Sequence, residues 1–194
     1  MKNRQLTFKQ YRSTDLVFLT ALFTISEYIV TLAATKWFPG QPYVFSLSPL
    51  FIVLILMRWN LYAVIPAILG AISYCVASKA GLQHYAIYIT GNLTALISHI
   101  YLKLRGKDDV RKDPIRSAVF VILTFLLMQA GRSTVSLAFG GELKTFILFL
   151  TTDSLSLLFA LIALIPLRRA DGLFEDQKSY LFRIEKEKNE SKTF

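Results

Sequence analysis

The chain has 194 residues and a net charge of +9. Apolar residues make up 54% and charged residues 18%, and mean hydropathy is +0.46. Soluble domains run at roughly 45–50% apolar with glycine included and about 25% charged, so disorder, a fibrous repeat and an ordinary soluble domain are excluded in favour of an integral membrane protein.

The first stretch is polar and basic, and the apolar run that follows from Leu16 is too long for the core of a cleavable signal peptide and lacks a small-residue exit. Six apolar segments follow in chain order, at 15–36, 43–57, 61–78, 84–104, 115–139 and 143–167. A membrane-spanning helix needs ~20 residues, with ~17–25 the usual range. Five segments fit. The second is short, rises only ~22 Å as a helix and is interrupted by Pro49, so it begins as extended chain or enters the membrane partway. The expected fold is an all-α membrane protein, a compact bundle of six transmembrane helices over 15–168. A basic N-terminus at 1–14 and a charged tail at 169–194 flank it. No repeat relates the two halves.

Orientation follows from the basic residues in the connections. One side carries Lys2, Arg4, Lys9 and Arg12, then Arg58, then Lys103, Arg105, Lys107, Arg111, Lys112 and Arg116. It also carries Arg168, Arg169, Lys178, Arg183, Lys186, Lys188 and Lys192, a total of 18. The other side carries 3, namely Lys36, Lys79 and Lys144. The split alternates with each segment and places both termini in the cytoplasm of a plasma-membrane protein. The positive charge is then membrane topology, and no nucleic-acid partner is expected. The tail is mixed in sign and reads as a solvated surface, either a short helix or disordered. Cys75 stands alone, which excludes an internal disulfide and a cysteine-cluster zinc site; it reads as a packed thiol.

Ionisable groups inside a span cost about 2.5–3.5 kcal/mol each on insertion scales and usually pair within the bundle. Three fall inside the segments: Glu27, Arg132 and Asp153. Helical spacing puts Gln129, Arg132, Ser133 and Ser136 on one stripe, Tyr85, Tyr88 and Asn92 on another, and Asp153 with Ser156 on a third. At ~1.5 Å per residue, Asn92 lies ~12 Å and Asp153 ~15 Å below the outer ends of their helices. Most of the polar set therefore lies in the middle and outer half of the bilayer, the layout of a pocket open to the outside for a flat polar organic ligand. Two further readings stand beside that one. Arg132 and Asp153 can form an internal salt bridge that only fixes helix packing, and Tyr85 and Tyr88 can be interfacial belt residues.

The outer loop after the first segment carries Trp37, Phe38 and Tyr43 with Pro39 and Pro42. It reads as a stiff lid over the pocket, with an aromatic interfacial turn as the alternative. Thr20, Thr24, Glu27 and Thr31 form a stripe of mostly small residues on the first helix. Such a stripe lets another helix approach, within the bundle or from another subunit. His99 sits alone near the cytoplasmic end and reads as a packing residue. No P-loop, no H-E-x-x-H, no G-x-S-x-G and no metal-ligand spacing occurs. The chain is not expected to hydrolyse ATP, to be an enzyme or to hold a metal.

The pattern resembles the S components of energy-coupling factor transporters, the substrate-binding membrane subunits of a vitamin-importing ABC class. The local similarity lies in FSLSPLFIVLILMRWN at 45–60, followed by LYAVIPAILGA at 61–71. Members of that family often have a proline-containing second helix, a short turn and a Gly/Ala-rich third helix. The resemblance covers 15 to about 168. It implies a ligand held in the outer half under the loop between helices one and two. It also implies assembly with a transmembrane coupling subunit (the T component) and two cytosolic ABC ATPases in the lipid bilayer, and toppling of the subunit to deliver its ligand. Family members commonly dock through an Ala-x-x-x-Ala motif on the first helix; here Thr20 and Thr24 stand in the stripe with Ala21 alongside. The implied cargo is a vitamin, cobalamin as the first guess, with pyridoxine, a queuosine precursor, pantothenate and riboflavin open, and with no covalently bound cofactor. The reading from another class is a non-transporting membrane scaffold of the cell-wall machinery. A third, an enzyme acting on lipids through Asp153 or Glu27, lacks a catalytic partner motif.

Overall fold

The computed structural model describes residues 7–41 and 43–190. Lys2, Arg4 and Lys192 of the basic count, and Pro42 of the outer loop, lie outside the described residues. All regular structure among the described residues is helical. In chain order the helices are α1 (Phe8–Trp37), α2 (Ser48–Trp59), α3 (Val64–Ala77), α4 (Leu82–Ala95), α5 (His99–Arg105), α6 (Lys107–Lys112), α7 (Pro114–Ala138), α8 (Thr145–Thr152), α9 (Ser154–Arg169) and α10 (Gln177–Glu190). Three stretches are long and apolar enough to cross a membrane: Phe8–Trp37, Ser48–Ala77 and Pro114–Ala138. Thr145–Thr152 with Ser154–Arg169 adds a fourth when the pair, bent by 45°, counts as one span.

α1 starts at a capping box between Thr7 and Gln10, which satisfies free backbone donors at the helix start. Its buried residues are Leu19, Phe23, Glu27 and Thr31, a single stripe at four-residue spacing, while Val17, Phe18, Ile25 and Ile29 are exposed. An apolar helix that buries one stripe and exposes the rest suits a lipid-facing position. α2 is the opposite case. Every residue from Ser48 to Trp59 except Leu50 is buried. A sequence apolar all round belongs at the centre, and α2 forms much of the main core with Phe120, Phe125 and Met128 of α7 and Ala160 and Leu164 of α9.

The chain path follows from pairs of contacts. Ser46 and Leu47, just before α2, bond Glu27, and Arg58 at its end bonds Asp15, so α2 runs antiparallel to α1. The backbone then turns at Asn60, where φ is +57°, through the 3-10 turn Asn60–Ala63. α3 runs back along α1: Arg12 lies over the Tyr62 ring at 4.2 Å, Gly70 meets Phe23 and the Ser73 hydroxyl donates to the Thr24 carbonyl at 2.7 Å. The apolar stretch Ser48–Ala77 is thus two antiparallel legs. Residues 43–46, at the start of the second predicted segment, carry no regular structure, and the helix begins only at Ser48.

α4 and α5 pass antiparallel to α7. Thr94 donates to the Leu127 carbonyl at 3.1 Å, Thr124 to the Ser98 hydroxyl at 2.9 Å, and Tyr101 stacks on Phe120. The two helices approach closely because Gly91 faces Arg132 and Met128, and Gly131 faces Thr94. A methyl at either position would collide, which is how small residues let membrane helices pack. The fourth predicted segment is interrupted by the 3-10 turn Leu96–Ser98. The sixth, continuous in the sequence reading, breaks at Asp153. There Thr151, Thr152 and Ser154 turn their hydroxyls onto backbone carbonyls, a local competition that bends helices.

At the end that carries Asp15 and Arg58, the segment 171–177 is tied down. Arg58 donates to the carbonyls of Gly172 at 2.5 Å and Leu173 at 3.1 Å. Lys107 pairs with Asp176 at 2.6 Å, Arg111 pairs with Glu175, and Tyr11 donates to Gln177 at 3.0 Å. Phe174 is buried in the main core. The tail is therefore a docked segment followed by the helix α10.

Candidate functional site

Two features mark the other end. One is a buried polar column through the middle of the molecule. The other is a cavity above it, under the loop that follows α1.

The column is built by α7, α9 and α4. Arg132 is completely buried and forms an ion pair with Asp153, itself 1% exposed. Asp153 Oδ2 also accepts from Gln129 Nε2 at 2.9 Å, and Gln129 Oε1 accepts from Arg132 at 3.3 Å. The remaining Arg132 contacts are Met128 Sδ at 3.4 Å and the Tyr88 ring, 4.3 Å from the guanidinium carbon. Tyr88 in turn stacks on Tyr74, with centroids 4.4 Å apart and planes tilted by 24°, and their hydroxyls meet at 3.3 Å. Asn92 donates to the Ala67 carbonyl at 3.0 Å and to Ser48 at 3.3 Å. Four buried polar atoms of this region lack a hydrogen-bond partner: Arg132 Nε, Asp153 Oδ1, Asn92 Oδ1 and Thr31 Oγ1.

Glu27 extends the column toward α1. It is fully buried, and its carboxylate accepts from the Ser46 hydroxyl at 2.6 Å and from the Leu47 backbone N–H at 2.7 Å. A carboxylate at the start of α2 meets the positive end of that helix dipole. Ser46 N–H donates to Ser156 at 2.9 Å, which links Glu27 to the α9 end of the column. The three ionisable groups picked from the sequence are thus all engaged by protein groups.

The cavity has a volume of 330 Å³ and is lined by Thr31, Thr35, Phe38, Gln41, Phe45 and Tyr74, with Ala34, Pro39, Gly40 and Val44 between them. The loop is shaped by Gly40, where φ is +83°, a conformation other residues rarely adopt. It is tied to α8 through Val44 N–H to the Thr152 carbonyl at 2.9 Å. Of the predicted lid residues, Phe38 lines this cavity, while Trp37 and Tyr43 are exposed. Of the predicted ligand-binding set, Tyr88, Asn92, Gln129, Arg132 and Asp153 lie together in the column beneath. Ser133 is buried and donates to the Gln129 carbonyl within its own helix. Ser136 and Tyr85 are half-buried, Tyr85 against the cluster around Tyr74 and Tyr88. None of these eight lines the cavity. Tyr74 joins the two features, and sequence reasoning passes over it because it sits in an otherwise apolar run.

The predicted docking residues Thr20, Ala21 and Thr24 do share a surface. They line an apolar groove of 480 Å³ between α1 and α3, with Leu16, Ile65 and Leu69 among its other walls. Both threonine hydroxyls are spent on carbonyls of their own helix, so the groove presents methyl groups. His99 is buried near Asn60 and Lys103. Among the described residues no cluster of three metal-ligating side chains occurs. No family model, no curated protein and no solved structure matches this chain.

Proposed function

We propose that the chain is the substrate-binding S component of an energy-coupling factor importer. In this reading the helical legs make six crossings with both termini in the cytoplasm. The basic end faces the cytoplasm, and the cavity under the 38–45 loop opens outward. A vitamin or related micronutrient is captured there and delivered inward with a transmembrane coupling subunit and two cytosolic ATPases. The observation that carries the reading is the placement of the cavity. It lies under an aromatic loop at the end opposite the basic connections, directly over a buried polar column. Cavities of about 300–1,000 Å³ with mostly apolar walls and a few polar groups are the usual form of small-molecule sites.

The groove on Thr20, Ala21 and Thr24 is the surface assigned to the coupling subunit. Tyr85, Tyr88, Asn92, Gln129, Arg132, Ser133, Ser136 and Asp153 act through the floor of the cavity, with Tyr74 between them and the ligand. Cobalamin is the first cargo the resemblance suggests, but its corrin exceeds a 330 Å³ space, so the cavity favours a smaller member of the vitamin set.

A second reading, a non-transporting scaffold of the cell-wall machinery, is favoured by one observation: Arg132 and Asp153 pair with one another inside the protein. Purification of the tagged protein from its native membranes in mild detergent, with mass spectrometry of what co-purifies, separates the two. Recovery of two ATPases with a membrane coupling subunit supports the importer. Recovery of cell-wall proteins without an ATPase contradicts it.

A further inference from the structure

We infer that the outer cavity selects an uncharged molecule with a flat ring and at least one hydroxyl or amide group, small enough for the 330 Å³ space under the loop. The inference rests on the reading of that cavity as the ligand site.

Three observations carry it. First, no charged side chain lines the cavity among the described residues; its polar groups are two threonines, one glutamine amide and one tyrosine hydroxyl. Lys36, in the last turn of α1, is exposed and outside the lining. Second, the charges beneath are already committed. Arg132 is held by Asp153 and Gln129 and roofed by the Tyr88 ring, which separates it from Tyr74 and the cavity. Glu27 is held by Ser46 and the start of α2. An anion entering the cavity would lose its water without gaining a counter-charge, and a buried unpaired charge is strongly disfavoured. Third, the walls suit a ring. Phe38, Phe45 and Tyr74 supply aromatic surface, and aromatic faces favour offset stacking on one another. Thr31 supplies a buried hydroxyl that no protein group answers, so a ligand hydroxyl or amide that reaches it gains a bond at a site otherwise left unsatisfied.

The test uses the full chain in lipid nanodiscs and three matched pairs that differ mainly in charge: nicotinamide and nicotinate, pyridoxine and 4-pyridoxate, riboflavin and riboflavin 5′-phosphate. Affinity is read by equilibrium dialysis. The expected result is that at least one neutral member binds ~10-fold or more tightly than its anionic partner, a difference of about 1.4 kcal/mol. Thr31→Val lowers that affinity ~10-fold while Thr31→Ser retains it, both at an unchanged unfolding temperature. Tyr74→Leu weakens binding as well. Equal or tighter binding of the anion overturns the assignment, as does indifference to both Thr31→Val and Tyr74→Leu, or no binding by any pair. Anion preference with the ATPases still co-purifying removes the ligand class and leaves the importer. Neutral preference without ATPases does the reverse.

Discussion

The molecule holds two networks of charge, and they are built differently. At the basic end, Asp15 accepts from Arg58 at 2.8 and 3.2 Å and from Trp59 at 2.5 Å, while Arg58 reaches two further carbonyls in the 171–177 segment. Asp15 and Arg58 there each have several partners. In the middle, Arg132 and Asp153 are at most 1% exposed, and each retains an unpartnered atom. Charges taken out of water are stabilised only when geometry and remaining hydrogen bonds are good. The central pair is therefore mutually dependent, while the basic end shares its load over many contacts. Breaking one partner should cost far more in the centre than at the end.

The largest effect should come from Arg132→Ala or Asp153→Ala. Each leaves a buried charge alone and should cost about 3–5 kcal/mol, read as loss of the folded protein in denaturant or thermal unfolding in detergent. Glu27→Ala should follow, at roughly 1–3 kcal/mol, because the Leu47 N–H and the Ser46 hydroxyl would lose their acceptor in a buried site. Glu27→Gln, which keeps one acceptor, should cost less. Arg58→Ala should cost no more than about 1–2 kcal/mol, since Trp59 still holds Asp15 and Lys107 and Arg111 still hold the tail segment. A loss as large as that of Arg132→Ala would break the comparison.

The smallest effect concerns pH. Burial pulls the Lys107 ammonium below its ordinary value of 10.5, against the opposing pull of Asp176. Between the folded value and the unfolded one the unfolded chain binds more protons, so stability rises with pH across that window. Lys107→Met should flatten the rise in alkaline unfolding curves.

Much of the outline is legible in the sequence because helices long and apolar enough to cross a membrane restrict the pattern. Long apolar runs, buried ionisable groups and polar stripes at helical spacing all leave a one-dimensional trace. Gln129 and Arg132 share a face of one helix as their spacing suggests. What the spacing does not carry is which partner wins. The sequence allows Arg132 to face a ligand or Asp153, and only the packing of α7 against α9 joins the two side chains. Tyr74 is missed because a single tyrosine in an apolar run looks like core, and its role depends on Tyr88 from another helix. The break at Asp153 is missed because hydroxyls that compete for backbone carbonyls leave no mark on an apolar pattern. The docking of 171–177 is missed because a charged tail has the same composition whether it is free or clasped.

The most direct test is a double-mutant cycle at Arg132 and Asp153, with unfolding and probe binding measured on the same samples. If the pair holds the bundle and the cavity takes an uncharged ligand, the two substitutions couple by about 2–3 kcal/mol in stability. The double variant Arg132→Met, Asp153→Leu then regains much of the loss and still binds the neutral probe. Additive losses in stability, together with abolished probe binding in the double variant, would place Arg132 on the ligand and contradict the account.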